Sequence, residues 1–201
     1  TTRSGPEATT EHAKPRSLTS LSDPFLALAA DIVDDAEAQR ISNENRLRQL
    51  TRSVEDSDGK ERGFGLDASH PDVARLAALV SLLRDVEKQA ISNLERAMKS
   101  HALGPWAARQ HGVGNKTLAR LLALVGDPYW HETEGRPRMV SELWSYCGHG
   151  DPGRKLRKGM TQAELFTLGS PDAKKRLWII ASGMIKLDGK PDKNGKARTK
   201  S

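Results

Sequence analysis

The segment QHGVGNKTLARLLALVG, residues 110–126, decides how the chain is read. Two glycines, Gly112 and Gly114, bracket Val113, and an apolar helical run follows from Asn115 to Val125. A P-loop needs Gly, four residues, then Gly-Lys-Ser/Thr. Here Arg109 stands where the first Gly is needed, and Asn115 intervenes before Lys116-Thr117. The dinucleotide fingerprint needs a third Gly where Thr117 stands, and no strand signal precedes the turn. The pattern that fits is a helix-hairpin-helix. Gly112 and Gly114 take backbone angles that other residues avoid, Val113 anchors the turn inward, and the small Ala119 allows close helix approach. Free N–H groups at the turn and the start of the second helix then form an anion site suited to a backbone phosphate. Lys116, Thr117 and Arg120 add contacts. Such a site grips phosphate without reading bases. A plain tight turn between core helices would use the same glycines.

Outward from the turn, punctuation divides the chain. Residues 1–21 read as a disordered leader. Ser22-Asp23-Pro24 starts a helix that runs without Gly or further Pro to about Val54, with Leu28, Ile32, Ala36, Leu47 and Leu50 at helical spacing. EDSDGKERGFGLDASH, residues 55–70, is a loop. Ser69-His70-Pro71 restarts a helix whose stripe is Val73, Leu76, Val80, Leu83, Ala90, Leu94 and Met98, with Glu87 interrupting it. Residues 22–103 are therefore expected to form a helical hairpin arm, paired internally or with a second copy through residues 25–100. Residues 104–187 are expected to form a compact helix-hairpin-helix domain. It holds a short helix over 105–110, helices over 115–125, 140–147 and about 165–168, and a last helix over 171–187. The tail 188–201 is expected to be disordered and basic. Strand signals are nearly absent, and the predicted class is all-α.

Charge supports a polyanion partner for the second half. Residues 1–100 carry 14 Lys and Arg against 17 Asp and Glu, whereas residues 101–201 carry 18 against 9. The loop GHGDPGRKLRKGM, residues 148–160, brings Arg154, Lys155, Arg157 and Lys158. Lys174, Lys175 and Arg176 stand at the start of the last helix, where cations oppose its dipole unless an anion is present. A solvated basic face would look the same. The four tryptophans, at 106, 130, 144 and 178, all lie in this half and are expected in its core, with base stacking as the alternative.

Other chemistry is poorly supplied. Cys147 is the single cysteine, so no intrachain disulfide forms, which suits the cytoplasm. Cys147-Gly148-His149 is half a zinc site, and a buried thiol is expected instead. No metal, cofactor or membrane span is expected. The chain does not begin with Met, which suggests processing or a piece of a longer chain.

The run HGVGNKTLARLLALVGDPYW, then SELWSYCGHG, then KGMTQAELFTLGSPDAKKRLWIIASGMIK, resembles the C-terminal half of transposases of the insertion sequence 110/116/902 family. Gly112-Val113-Gly114, Gly126-Asp127, Tyr146-Cys147-Gly148 and Lys174-Lys175-Arg176 stand in that family's places, over roughly residues 70–187. The helix over 71–99 matches the family's coiled-coil segment in character. The resemblance implies DNA binding in recombination and transposition of a mobile element. It also implies an RNase H-fold half with four metal-binding carboxylates and a nucleophilic serine in the Gly-rich loop. The first hundred residues offer no strands for such carboxylates, and residues 148–160 contain no serine. The expectation is a duplex-DNA-binding protein of weak sequence preference, non-catalytic on its own, with structured RNA as a further ligand. The alternatives are a transposase or recombinase fragment whose catalytic half is missing or supplied in trans, and a helical protein-binding adaptor.

Overall fold

A computed structural model describes residues 21–53, 58, 59, 62–151, 153 and 155–187. The leader over 1–20, the tail over 188–201, Val54 and Arg154 lie outside the described residues. The class is all-α. Among the described residues the helices in chain order are α1 (Pro24–Thr51), α2 (Pro71–Ser100), α3 (Gly104–Ala107), α4 (Asn115–Val125), α5 (Val140–Tyr146), α6 (Gln162–Phe166) and α7 (Pro171–Leu187). One small antiparallel pair, β1 (Trp130–His131) with β2 (Arg136–Pro137), was not expected from the sequence.

Local chemistry explains the helix starts. The Asp23 carboxylate accepts from the N–H groups of Phe25 and Leu26 at 2.9 and 3.3 Å, and Pro24 follows it. At α2 the His70 ring, rather than Ser69, accepts from Asp72 N–H at 3.3 Å. At α6 the Thr161 and Glu164 capping box forms, Glu164 accepting from Thr161 N–H at 2.8 Å. Ser170 caps α7, its hydroxyl accepting from Ala173 N–H at 3.2 Å.

Helices α1 and α2 lie antiparallel. Arg40 pairs with Glu87, and further along Glu44 accepts from Arg84 at 2.9 Å. Glu87, the break in the α2 stripe, is buried because Arg40 partners it. On α1 the buried apolar side chains are Leu26, Ala30, Val33 and Ala36. Leu28 and Ile32, expected inward, are exposed. The reason is that α1 carries two apolar sets at three- and four-residue steps, and either could have been the inner one.

Helix α4 is the centre of the molecule. Leu118, Ala119 and Leu122 pack with Leu26, Ala30 and Val33 of α1, Ala90, Leu94 and Met98 of α2, and Ala107 of α3. Leu121 and Val125, on its other side, pack with Cys147 and with Ala173 of α7. The arm drawn at 22–103 and the domain drawn at 104–187 therefore share one core through α4. Ala119 has no exposed surface, and its small side chain lets α4 approach the arm.

Candidate nucleic-acid interface

The turn itself is a packing device on one side and open on the other. Gly112 has φ +81°, and a Cβ there would lie 2.6 Å from the backbone N of Met184. A Cβ on Gly183 would lie 2.7 Å from the Gly112 carbonyl oxygen. Helix α7 thus crosses the turn backbone to backbone, an approach only glycines permit. Val113 is half-buried against the α1–α2–α4 core, as an anchor should be. Gly114 differs. It has an ordinary φ of −80°, nothing within 4 Å of a built Cβ, and no strain. It is the N-cap of α4 and makes no side-chain cap, so the first-turn N–H groups of Asn115, Lys116 and Thr117 lack an intrahelical acceptor.

Three cations near this turn face carboxylates of the arm, while Arg109 is exposed. Lys116 stands 3.7 Å from Glu37 and 4.0 Å from Glu87. Arg120, only 6 % exposed, contacts Asp34 and donates to Glu37 at 2.8 Å. Arg176, 7 % exposed, donates to Asp34 at 3.1 Å. This corrects the expectation that Arg120 and Arg176 meet an external phosphate. Burial in the core face of α4 and α7 requires partners for their charge, and α1 supplies them. Burial pushes the Glu37 carboxyl upward, but the Arg120 hydrogen bond and the charges of Arg120, Lys116 and Arg176 together hold it below its ordinary value. The Nε atoms of Arg120 and Arg176 are buried without a hydrogen-bond partner.

A second basic cluster is open. The glycine-rich loop, the end of α5, α6 and the start of α7 enclose a cavity of about 960 Å³. Lys155 and Lys174 line it, with the Ser141 and Ser145 side chains and the apolar Leu156 and Leu168. Two glycines build its floor. A Cβ on Gly169 (φ +79°) would collide with the carbonyls of Ser145 and Tyr146, and one on Gly150 would meet Ser145. Ser170 N–H donates to the Tyr146 carbonyl at 2.6 Å, joining α5 to α7. Lys155, Arg157, Lys158, Lys174 and Lys175 are exposed, and none has an acidic partner among the described residues. One carboxylate, Asp151, also lines the cavity, where it accepts from Gly153 N–H at 2.7 Å.

The tryptophans correct a further expectation. Trp106, Trp144 and Trp178 are exposed, at 45, 60 and 68 %. The core of this half is built instead from Leu121, Val125, Cys147 and Ala173, with Leu143, Leu177 and Ile180 against them. The sequence places Trp144 in the core, and Ser141 and Ser145 only as flanking the glycine-rich loop; their place beside a cavity is not foreseen from it. The available signal was the helical spacing of Lys174 and Trp178, which puts both on one side of α7.

Cys147 is buried, and burial raises its thiol pKa, the opposite of an activated nucleophile. Among the described residues no three His, Cys, Asp or Glu side chains stand together to hold a metal. No helix among them is long and apolar enough to cross a membrane. No family model, no curated protein and no solved structure matches the chain.

Proposed function

We propose that the protein binds nucleic acid, with DNA as the first ligand, and that the contact runs through the glycine-rich loop and the start of α7. One observation carries this reading. Lys155 and Lys174 line one cavity, Arg157, Lys158 and Lys175 are exposed next to them in the chain, and none of the five has an acidic partner among the described residues, while Lys116, Arg120 and Arg176 face carboxylates of α1 and α2. Five cations gathered without carboxylate partners repel one another, and a polyanion relieves that repulsion. The Gly112 to Thr117 turn then contributes its open α4 N-terminus at the edge of the contact rather than at its centre. Contacts of this kind position a backbone and carry little sequence preference. A non-catalytic role beside a transposase-like partner is consistent with the buried thiol and with the absence of serine from residues 148–160.

Binding to a random duplex, followed by fluorescence anisotropy, tests the reading. The affinity should fall steeply with salt, with a slope near one per phosphate neutralised. No binding at low salt would refute it.

A helical adaptor is the second reading. It is favoured by apolar side chains left in solvent on the arm, Phe25, Leu28 and Ile32 on α1 and Leu79, Leu82 and Val86 on α2. The same faces would serve self-association through residues 25–100. Nuclease-resistant association with a protein partner would support the adaptor.

A further inference from the structure

We infer that the cavity beside the glycine-rich loop takes an unpaired nucleotide, its phosphates held by Lys155 and Lys174 and neighbouring bases stacked on Trp144 and Trp178. The inference rests on the nucleic-acid reading above and names the form of nucleic acid that this site prefers. A duplex hides its base faces in its own stack, so a surface that meets only duplex backbone needs cations and hydrogen-bond donors, not aromatic rings. Here two exposed tryptophans stand on the helices that carry lining residues of the cavity. Trp178 stands one helical turn beyond Lys174, and Trp144 immediately precedes the cavity-lining Ser145. Both indoles are mostly exposed. Large aromatic side chains normally supply core, and here the core is closed without them by Leu143, Leu177 and Ile180.

The cavity fits the role in size and lining. Its volume of about 960 Å³ is that of a small-molecule cleft, larger than a phosphate alone requires. Leu156 and Leu168 give it apolar wall for a base, and the Ser141 and Ser145 hydroxyls offer hydrogen bonds to a base edge.

The test uses the full chain with three probes of equal length at one salt concentration. They are a labelled single-stranded oligonucleotide, its duplex, and an abasic strand with the same phosphates. The single strand should bind tighter than the duplex and quench tryptophan emission. Removing its bases should cost about 5- to 100-fold in affinity, the stacking of one base or more. Trp178→Ala and Trp144→Ala should cost a similar factor for the single strand and little for the duplex, and Trp178→Phe should restore part of the loss. Both side chains are exposed, so unchanged circular dichroism is the folding control. Equal binding of strand, abasic strand and duplex would overturn the nucleotide site. If Lys155→Glu and Lys174→Glu still weakened all three, the phosphate contact would stand without it. No binding of any probe at low salt would overturn both.

Discussion

Two groups of cations in this chain look alike in the sequence and behave differently in the fold. Lys116, Arg120 and Arg176 are held by Asp34, Glu37 and Glu87, and two of the three are buried. Lys155, Arg157, Lys158, Lys174 and Lys175 lie exposed, Lys155 and Lys174 lining a cavity, with no acidic partner among the described residues. The difference teaches that a basic residue beside a glycine turn reveals nothing until the opposite face of its helix is known. Helix α4 is packed on both sides, so its arginine must serve the core.

The sharpest way to break the comparison is at the turn. Gly112→Ala combines a positive φ with a collision against the α7 backbone and should cost about 3 kcal/mol or more. Gly114→Ala meets open space and should cost at most about 1 kcal/mol, the loss of a tolerated cap. Chemical denaturation of both variants measures the contrast. Similar losses at both positions would mean that α7 does not cross the turn.

Next in size is Asp34→Asn. It removes a carboxylate shared by two buried guanidinium groups and should destabilise by about 2–3 kcal/mol, less than a fully buried pair because Asp34 is partly exposed. Nucleic-acid affinity of the folded protein should not change. A marked gain in affinity would show that α1 masks the clamp rather than serving the core.

Lys116→Glu sharpens the same point. It places a third carboxylate beside Glu37 and Glu87, so melting temperature should fall, equivalent to about 1–2 kcal/mol. A variant that lost affinity at unchanged stability would return Lys116 to the nucleic-acid surface.

The smallest expected effect is on pH. The Glu37 carboxyl lies below its ordinary value in the fold, so its ionised form is favoured there. Its contribution is complete above its unfolded pKa and is lost as pH falls through the lower folded value. Thermal melts should show stability decreasing below about pH 4, and Glu37→Gln should flatten that decrease. An unaltered acid limb would remove Glu37 from the cluster's energetics.

Local signals in the sequence were legible. Asp23-Pro24, Thr161 with Glu164, and Ser170-Pro171 mark helix starts because capping is a matter of a few adjacent groups. The start and end of α4 could be read from Gly114 and Gly126. The buried face of α1 could not, because Leu28 and Ile32 have the same spacing as Leu26, Ala30 and Val33. Only contact with α2 and α4 decides between them. The inward direction of Arg120 and Arg176 depends on Asp34, more than eighty residues away from the nearer of them. The β1–β2 pair, two residues each, is too short for any alternation to register. Of the candidate site, the cations of the loop and of α7 could be named from the sequence, and the cavity that Lys155 and Lys174 line could not.

The most direct measurement is a salt titration of binding to a random duplex and a single strand. It should compare the native chain with the Lys155→Glu/Lys174→Glu double variant. The expected result is steep salt dependence in the native chain and a shallower slope, by about two, in the variant at unchanged melting temperature. Binding of the same affinity and slope in both proteins would contradict the assignment of the contact to the loop and α7.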